Sequence, residues 1–290
     1  MLNRLTILGV GLIGGSLARA AKDAAVVKEI VGWGRSGSQI RRALDLGVID
    51  RGEQTLAAAV AGADVVVIAT PISVMDGIFR QLAGTLTDTA VVTDVGSVKG
   101  AVVDMAREAL GERLTRFVPA HPIAGDERTG VEASRGDLFA HHRVILTPLQ
   151  ETDPAAVARV RGLWESVGAT VDEMEVNHHD QVLAATSHLP HVLAYTLVDC
   201  LLRQASGEEI FRFAAGGFRD FTRIASSDPA MWRDICLANR GHLLAILNDF
   251  QAHLQHVMAM LEQGNGDDLG EVYTRAKAAR DRFKIESFKD

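Results

Sequence analysis

The sequence contains little cysteine and no long apolar run, and both shortages exclude classes of protein. Its two cysteines, Cys200 and Cys236, are too few for the disulfide framework of a small secreted domain. Both lie in apolar, helical patterns, so we expect them to be buried. No apolar run reaches the roughly 18 residues of a membrane-spanning helix, and the first glycine turn comes too early to leave room for a signal peptide. We therefore expect a cytoplasmic protein with no membrane partner.

An excess of basic residues is also missing. The sequence has 30 lysines and arginines against 37 aspartates and glutamates, which gives a net charge of −7. A surface that binds nucleic acid or an anionic membrane should leave a basic excess, so neither is expected as the main partner. The 290 residues are enough for about two domains.

Residues 1–175 alternate between short apolar runs and helical patterns. The clearest strand is the β-branched run at 64–70, which Pro71 ends. Alternation of this kind predicts an α/β domain whose parallel sheet is covered by helices on both faces. The predicted strands span 5–10, 30–33, 64–70, 91–94, 117–121, 143–147 and 170–173.

The strand patterns stop near residue 176, so the region 176–290 is predicted to be a second, all-α domain. Pro190 should interrupt the first long helix of this region. Asp228 is the expected N-cap of the next helix, with Pro229 at its first position. The predicted helices span 179–204, 228–261 and 269–283.

A glycine-rich turn follows the first predicted strand. Gly9, Gly11 and Gly14 match the pattern G-x-G-x-x-G where a strand gives way to a helix, which is the context in which this pattern binds dinucleotides. The first glycine permits a tight turn, the second lets the backbone approach a pyrophosphate, and the third lets helix and strand pack closely. We therefore expect a Rossmann-type nucleotide-binding domain over 1–175, the alternative being a glycine turn without a ligand. The cofactor-binding residues predicted here and at the end of the strand at 64–70 are Gly9, Gly11, Leu12, Ile13, Gly14, Thr70 and Pro71.

The second predicted strand ends in Arg35 and Ser36, where enzymes that use NAD usually carry an acidic residue for the ribose 2′-OH. A guanidinium and a short hydroxyl suit a 2′-phosphate instead. The sequence therefore favours NADP as the cofactor. If Arg35 is only a solvated loop charge, both NADP and NAD would bind.

His121 and Ser97 each follow or end a predicted strand of the parallel sheet, where open α/β sheets place their ligands. A hydrogen bond from Ser97 to His121 would fix the tautomer of the imidazole and suit it to acid–base chemistry. The ten histidines include no H-E-x-x-H motif, and no cysteine or carboxylate completes a set of metal ligands. We therefore expect no metal site.

The helical region contains a candidate anion site. Ser187 and His191 are four residues apart, so they share a helix face. Two glycines precede Arg219, Asp220 and Arg223, and arginine binds carboxylates bidentately. The alternative is an ordinary ion pair between Asp220 and Arg223 on a helix surface.

Together these motifs resemble the prephenate/arogenate (cyclohexadienyl) dehydrogenase family of tyrosine biosynthesis. The segments that carry the resemblance are GVGLIGGS, VTDVGSVKG, HPIAGDERTGVE, SHLPH and GGFRDFTRIASSDPAMW, between residue 5 and about residue 261. The resemblance implies a nucleotide-binding domain followed by a helical domain that builds a homodimer. It also implies an oxidative decarboxylation in which hydride leaves ring C4 for NAD(P)⁺ and CO2 leaves C1.

The same resemblance implies roles for individual residues. His121, held by Ser97, would take the proton of the substrate 4-OH, which suits histidine because its neutral form is available near pH 7. Arg223 would hold the ring carboxylate, and Asp220 would orient Arg223. The other residues implied in the substrate pocket or at the cleft mouth are His191, Ser187, Trp232, Glu127 and Arg219.

Asp126 departs from the family pattern, which often carries threonine or serine after H-P-I-A-G. An acidic group near the side-chain end of the substrate would favour the ammonium group of arogenate over the keto group of prephenate. The sequence therefore suggests that arogenate is a substrate, and that it is used in preference to prephenate.

Two other functions remain open from the sequence. A two-domain dehydrogenase of the β-hydroxyacid or 6-phosphogluconate type would rely on a lysine in the helical domain, and the helical stretch at 177–204 contains none. A dinucleotide-sensing module without catalytic activity would not need His121, Ser97 and Arg223 together.

Overall fold

A computed structural model describes residues 1–126, 128–204 and 207–282. By their contacts these residues form two compact units, one from Met1 to Asn239 and one that begins at Arg240. The strands are β1 (Leu2–Leu8), β2 (Val27–Trp33), β3 (Arg51–Glu53), β4 (Val65–Ile68), β5 (Val91–Asp94), β6 (Phe117–Val118), β7 (Ala120–Pro122), β8 (Arg143–Leu146) and β9 (Thr170–Glu173). The α-helices are α1 (Leu12–Asp23), α2 (Gly37–Asp45), α3 (Leu56–Val60), α4 (Met75–Ala83), α5 (Lys99–Leu110), α6 (Pro154–Ser166), α7 (Val176–Leu183), α8 (Leu189–Leu202), α9 (Gly207–Arg212), α10 (Gly216–Thr222), α11 (Pro229–Ala238), α12 (Arg240–Glu262) and α13 (Gly266–Arg282).

Six strands form a parallel sheet in the order β3-β2-β1-β4-β5-β6. Strand β1 pairs with β2 on one side and with β4 on the other. The winding of the chain therefore changes direction between β1 and β4, and open α/β sheets bind ligands at the C-terminal ends of their strands at such a point. The predicted Rossmann-type fold is confirmed, and the glycine turn that follows β1 lies at this position.

The buried side chains of the sheet alternate between its two faces. In β1, Leu5 and Ile7 pack on the face covered by α1 and α6, whereas Leu8 packs on the face covered by α3, α4 and α5. In β4, Val65 and Val67 lie on the first face in the same way. All these side chains are fully buried, and each contributes about 1.5–3 kcal/mol of apolar burial. The parallel sheet is therefore the rigid centre of the nucleotide-binding region.

The predicted single strand at 117–121 is wrong, because Pro119 divides it. Strand β6 ends the parallel sheet, whereas β7 pairs antiparallel with β8 in a second sheet that β9 completes. Proline has no N–H group to continue a ladder of hydrogen bonds, so the chain can leave the first sheet at this point. His121 therefore lies in the second sheet and not at the end of a parallel strand.

The helical part of the first unit begins at Val176, where the all-α region is predicted to begin, and contains a π-helical segment. Residues Ala184–His188 form this segment between α7 and α8 and end two residues before Pro190, in agreement with the predicted interruption of the helix. The side chain of Asp228 accepts hydrogen bonds from the N–H groups of Ala230 and Met231, which confirms it as the N-cap of α11. The predicted helix at 228–261 is interrupted at Asn239.

The second unit contains α12 and α13, which pack against each other. Every described helix of the chain is too short or too polar to cross a membrane. The expectation that both cysteines are buried is wrong for Cys200, which is exposed, while Cys236 is half-buried. Cys200 lies near the end of α8, on a side of that helix that is exposed among the described residues.

Candidate functional site

The glycine turn after β1 has the geometry of a dinucleotide-binding loop. Gly9 has a φ of +100°, and a Cβ there would lie 2.5 Å from the backbone oxygen of Ala69. Gly14 is packed against the backbone of Gly9 at the start of α1, so a side chain there would also collide. Only glycine fits at these two positions because strand, turn and helix approach one another so closely.

Gly11 differs from these two glycines because nothing in the protein fills the space of its missing side chain. A Cβ at Gly11 would have no atom of the described chain within 4 Å. It is also the N-cap residue of α1, and no side chain caps that helix. The open space and the free backbone N–H groups together fit a bound pyrophosphate.

A cleft of about 840 Å³ lies above this turn, a size sufficient for a cofactor. The predicted cofactor residues Arg35 and Ser36 line its far side. The hydroxyl Oγ1 of Thr70 is buried and has no hydrogen-bond partner within the described residues, so a ligand would supply one. The predicted cofactor residues that line this cleft are Gly9, Gly11, Arg35, Ser36, Thr70 and Pro71. These observations fit a nicotinamide dinucleotide.

A second cleft, of about 350 Å³, continues from the first. Thr70 and Pro71 line both clefts, and Leu12 and Ile13 line the second. Ser97 also lines it. Ser227, Asp228 and the first turn of α11 line it as well. The structure thus places a smaller cleft beside the predicted cofactor site.

His121 is the first member of a buried chain of hydrogen bonds. Its Nδ1 lies 3.0 Å from Nε2 of His179, and Nδ1 of His179 lies 2.8 Å from Oδ1 of Asp180. The carboxylate of Asp180 also accepts hydrogen bonds from the N–H groups of Lys99 and Gly100, each 2.8 Å long, at the N-terminus of α5. All three side chains of the chain of hydrogen bonds are buried.

The hydrogen bonds at Asp180 fix its charge. Burial opposes ionisation, but hydrogen bonds from His179 and from the backbone N–H groups of Lys99 and Gly100 outweigh it and lower the pKa of Asp180. Burial lowers the pKa of His179, and it lowers the pKa of His121 further below the usual value, with help from the nearby charges of His179 and Lys99. Asp180 is therefore a carboxylate, and both imidazoles are neutral near pH 7.

These charges determine the tautomer of each imidazole. An ionised carboxylate only accepts hydrogen bonds, so Nδ1–H of His179 donates to Asp180 and Nε2 of His179 is left as an acceptor. Nδ1–H of His121 must then donate to His179. Nε2 of His121 consequently has a free lone pair, which is what a proton acceptor requires.

The predicted hydrogen bond between Ser97 and His121 is wrong. Nδ1 of His121 pairs with His179, and no hydrogen bond joins Ser97 to His121 in the described parts of the chain. Ser97 instead follows β5 in a turn whose residues face the smaller cleft. The tautomer is fixed from the helical region, because α7 brings His179 and Asp180 against the N-terminus of α5.

His191 and Trp232 stack on each other in the helical region. Their ring centroids are 3.4 Å apart and their planes are 17° from parallel. Nδ1 of His191 lies 2.9 Å from the backbone oxygen of Ser187. That the side chains of the two residues share a face stays a prediction. Burial lowers the pKa of His191, and the charge of Arg223 lowers it further. Arg223 is therefore close enough to act on this imidazole.

Arg219, Asp220 and Arg223 lie around the end of α10. Arg219 and Asp220 are 4.0 Å apart and both are exposed. Arg223 is exposed and begins a short 3₁₀ turn, Arg223–Ser226. That Asp220 orients Arg223 stays a prediction, since the ion pair that the structure gives for Asp220 is with Arg219.

Asp126 lies in the wall of the smaller cleft and is paired with Arg128, which lines the same cleft. The guanidinium of Arg128 donates to both carboxylate oxygens, over 3.2 Å and 2.9 Å, and its backbone N–H donates over 3.0 Å. Hydrogen bonds from Arg128 hold the pKa of Asp126 well below its usual range. Glu127, between these two residues, lies outside the described residues.

Several buried residues near His121 carry no signal in the sequence that predicts their role. His179 and Asp180 complete the hydrogen-bonded chain, and Asn239 donates from Nδ2 to the backbone oxygen of Asp180 and to Nδ1 of His188. His188 is itself fully buried, and its Nε2 has no partner among the described residues. The consecutive residues His178, His179 and Asp180 are visible in the sequence, but adjacent histidines there suggest a metal site and not a hydrogen bond to His121. No group of three or more potential metal ligands is assembled among the described residues.

Comparison with known proteins gives two family matches that together span most of the chain. The model of the prephenate dehydrogenase nucleotide-binding domain matches residues 17–173, and that of the prephenate dehydrogenase dimerization domain matches residues 175–275.

Individual proteins match over nearly the whole chain. A cyclohexadienyl dehydrogenase of Zymomonas mobilis is 36% identical over 97% of this chain and 96% of its own length. A prephenate dehydrogenase of Bacillus subtilis is 39% identical over 98% of this chain and 77% of its own. The crystal structure of prephenate dehydrogenase from Aquifex aeolicus, in complex with hydroxyphenyl propionate and NAD⁺, has a TM-score of 0.90 at 37% identity and covers 97% of this chain and 98% of that one.

Proposed function

Because the chain belongs to the prephenate dehydrogenase family, we propose that it oxidatively decarboxylates a cyclohexadienyl acid, arogenate or prephenate, in tyrosine biosynthesis. Membership of this family makes the chain a dehydrogenase that uses a nicotinamide cofactor. The observation that best supports the proposed reaction is the hydrogen-bonded chain of His121, His179 and Asp180. It leaves His121 neutral with a free lone pair on Nε2. The backbone N–H of the preceding residue, Ala120, donates to Asp94 at the end of β5, close to the turn that carries Ser97.

When bound, the nicotinamide supplies an acceptor for the hydride that leaves ring C4. His121 takes the proton of the 4-OH at Nε2 as C4 becomes a carbonyl carbon. Its Nδ1–H remains bound to His179, which spreads the new charge toward the carboxylate of Asp180. The C1–carboxylate bond then breaks, its electron pair makes the ring aromatic, and His121 returns the proton to the phenolate oxygen.

The helical region supplies the substrate contacts in this proposal. Arg223 binds the ring carboxylate as a bidentate cation, and the stacked rings of His191 and Trp232 hold the hydrophobic edge of the substrate ring. Ser187 fixes the orientation of His191 through its backbone oxygen. Ser97 contributes a hydroxyl from the wall of the smaller cleft.

We also propose that arogenate is a substrate and is preferred. Its amino-acid side chain carries an ammonium and a carboxylate. Asp126 is the acidic group that would attract the ammonium, and its side chain lines the smaller cleft. The pairing of Asp126 with Arg128 means that the ammonium must share this carboxylate with a guanidinium, so we expect a preference for arogenate and not exclusion of prephenate.

NADP is the cofactor that we propose. Arg35 and Ser36 both line the larger cleft at the end of β2. Ser36 caps α2 by accepting from the N–H of Gln39, and Gln39 lines the same cleft, so the N-terminus of α2 lies beside it. Both features favour an additional phosphate on the ribose.

A homodimer formed through the helical domain completes the proposal, with the domains divided at about residue 175. Large apolar side chains stay exposed in the first unit at Leu202, Phe213 and Leu237. Exposed apolar surface of this kind marks protein interfaces. A cytoplasmic location stays a prediction.

One assay tests the proposed reaction. Purified protein is given arogenate or prephenate, each with NADP⁺ or NAD⁺, and reduced cofactor is followed by its absorbance. Arogenate with NADP⁺ should give the highest kcat/KM. The variant His121→Asn should lose turnover and still bind cofactor. Absence of turnover in all four combinations, or undiminished turnover in His121→Asn, would contradict the proposal.

A further inference from the structure

Lys99 and Asp94 form an ion pair that has no contact with solvent. Both side chains are 0% exposed, and the ammonium Nζ of Lys99 donates to Oδ2 of Asp94. Replacing such a pair by apolar residues is often neutral or stabilising, because removing two charges from water costs more than their attraction returns. Stability alone therefore does not account for this pair.

The pair binds both backbone polar groups of the residue that precedes His121. Nζ of Lys99 donates to the backbone oxygen of Ala120 over 2.6 Å. The N–H of Ala120 donates to Oδ1 of Asp94 over 3.2 Å. Ala120 is the first residue after the break at Pro119, where the chain leaves the parallel sheet, so the pair fixes the chain where β7 begins.

The same two residues also reach the other parts of the site. Oδ2 of Asp94 accepts from the N–H of Gly96 over 2.7 Å, which holds the turn that carries Ser97. The backbone N–H of Lys99 donates to Asp180. The ammonium of Lys99 therefore contacts the backbone of Ala120, next to His121. Its backbone N–H contacts Asp180, at the far end of the hydrogen-bonded chain.

We propose that the buried Asp94–Lys99 pair is a positioning device for His121, and that the Lys99 charge opposes protonation of that imidazole in the free enzyme. The inference rests on the proposed function, in which His121 must be neutral to accept the proton. Lys99 does not touch the reacting atoms in this proposal. It acts through the backbone of Ala120 and through its charge.

The charged and titratable groups that face His121 are consistent with this effect. Burial is the largest cause of the lowered pKa of His121, and the positive charges that His179, Lys99 and His188 carry when protonated lower it further. Asp180 and Asp94 act one step further away, where they raise the pKa of His179 while Lys99 lowers it. Burial lowers the pKa of Lys99 itself, and the charge and hydrogen bond of Asp94 oppose that lowering, so Asp94 favours the charged form of Lys99 beside His121.

The test is the double variant D94N/K99M, which removes both charges and leaves no unpaired ion. We expect the acid limb of the kcat/KM profile, which reports the free enzyme, to move up by about one pH unit. We also expect kcat on the plateau to fall by roughly 10-fold, because the strand that carries His121 is less firmly held. The KM for the cofactor should not change. A purely structural effect would lower activity without moving the acid limb.

The control is Lys22→Met, which breaks a Lys–Asp pair of 2.6 Å on the far end of α1 and should leave the profile unchanged. Should D94N/K99M not fold, D94N/K99Q replaces it, because its amide can still donate to the Ala120 carbonyl, and the same shift of the acid limb is expected. A folded double variant with the wild-type profile and wild-type kcat overturns the inference.

A second measurement separates this inference from the proposed reaction. ¹⁵N NMR of the histidine rings, without substrate, gives the pKa of His121 directly. We expect His121 to stay neutral well below its ordinary pKa of about 6.5 in the wild type and to titrate at higher pH in the double variant. This result is informative even if neither substrate turns over, and a wild-type His121 that titrates near its ordinary value overturns the inference.

Discussion

The imidazole of His121 is hydrogen-bonded to that of His179, with 3.0 Å between Nδ1 and Nε2. His179 in turn contacts the carboxylate of Asp180. The direction of these bonds follows from one property of Asp180, which is that a carboxylate cannot donate. Because Asp180 is a buried acceptor at one end of the hydrogen-bonded chain, Nε2 of His121 at the other end has a free lone pair.

Replacing His179 by leucine should lower kcat by 10- to 100-fold, because Nδ1 of His121 loses the acceptor that fixes its tautomer. The KM for the cofactor should stay the same, since His179 does not line the larger cleft. Steady-state kinetics measure both values. His178→Leu is a matched control, because this neighbouring histidine is exposed. Equal kcat values for the two variants would contradict a role for the hydrogen-bonded chain of His121, His179 and Asp180 in catalysis.

Replacing Arg35 by aspartate should lower the preference for NADP⁺ over NAD⁺ by at least 10-fold, because a carboxylate repels the 2′-phosphate and accepts from a ribose 2′-OH. The ratio of kcat/KM for the two cofactors measures this. Arg41→Asp makes the same change of charge on α2 outside the cleft lining and should leave the ratio unchanged. If the Arg35 variant keeps the wild-type ratio, Arg35 is only a solvated charge.

Replacing Asp126 by threonine should lower the ratio of kcat/KM for arogenate to that for prephenate by about 10-fold, because the ammonium of arogenate loses its carboxylate partner while Arg128 stays. Both substrates are assayed with the preferred cofactor. Asp137→Thr, which removes an exposed carboxylate paired with Arg135, serves as the control. A ratio that does not move would show that Asp126 serves only to hold Arg128.

Replacing Arg223 by alanine should lower kcat/KM by about 100-fold, because the ring carboxylate loses its bidentate cation. The apparent pKa of His191 should rise, since the charge of Arg223 lowers it. Kinetics and ring NMR give the two readouts. Arg203→Ala, which breaks an exposed ion pair with Asp199 on α8, is the comparison. Similar kcat/KM values in both variants would exclude Arg223 from substrate binding.

The free energy of unfolding should fall as the pH drops from about 6.5 to about 4. Burial lowers the pKa of His188 to about 4, so between these values the unfolded chain binds a proton that the native chain does not, and stability rises with pH. A shift of this size corresponds to about 3 kcal/mol. Urea unfolding at a series of pH values measures the slope. His188→Gln should reduce it, and an unchanged slope would show that His188 does not contribute.

Much of the fold was predictable because its signals are local. The glycine turn, the run of β-branched residues in β4 and the cap at Asp228 each depend on a few neighbouring residues, and the structure places all three as predicted. The break at Pro119 was less evident. A single proline within a run of strand-forming residues can end a strand or lie at its edge, and only the partner strand β8 decides which.

The sequence by itself determined the nucleotide-binding turn and the change from alternating elements to helices. Each of these follows from residue type and spacing. The tertiary structure alone decided what holds His121, because its partner His179 is 58 positions away and on a helix. It also decided that Asp94 and Lys99 meet in the core around Ala120. Burial and long-range hydrogen bonds set the tautomer and charge of an imidazole, and neither quantity is encoded in local spacing.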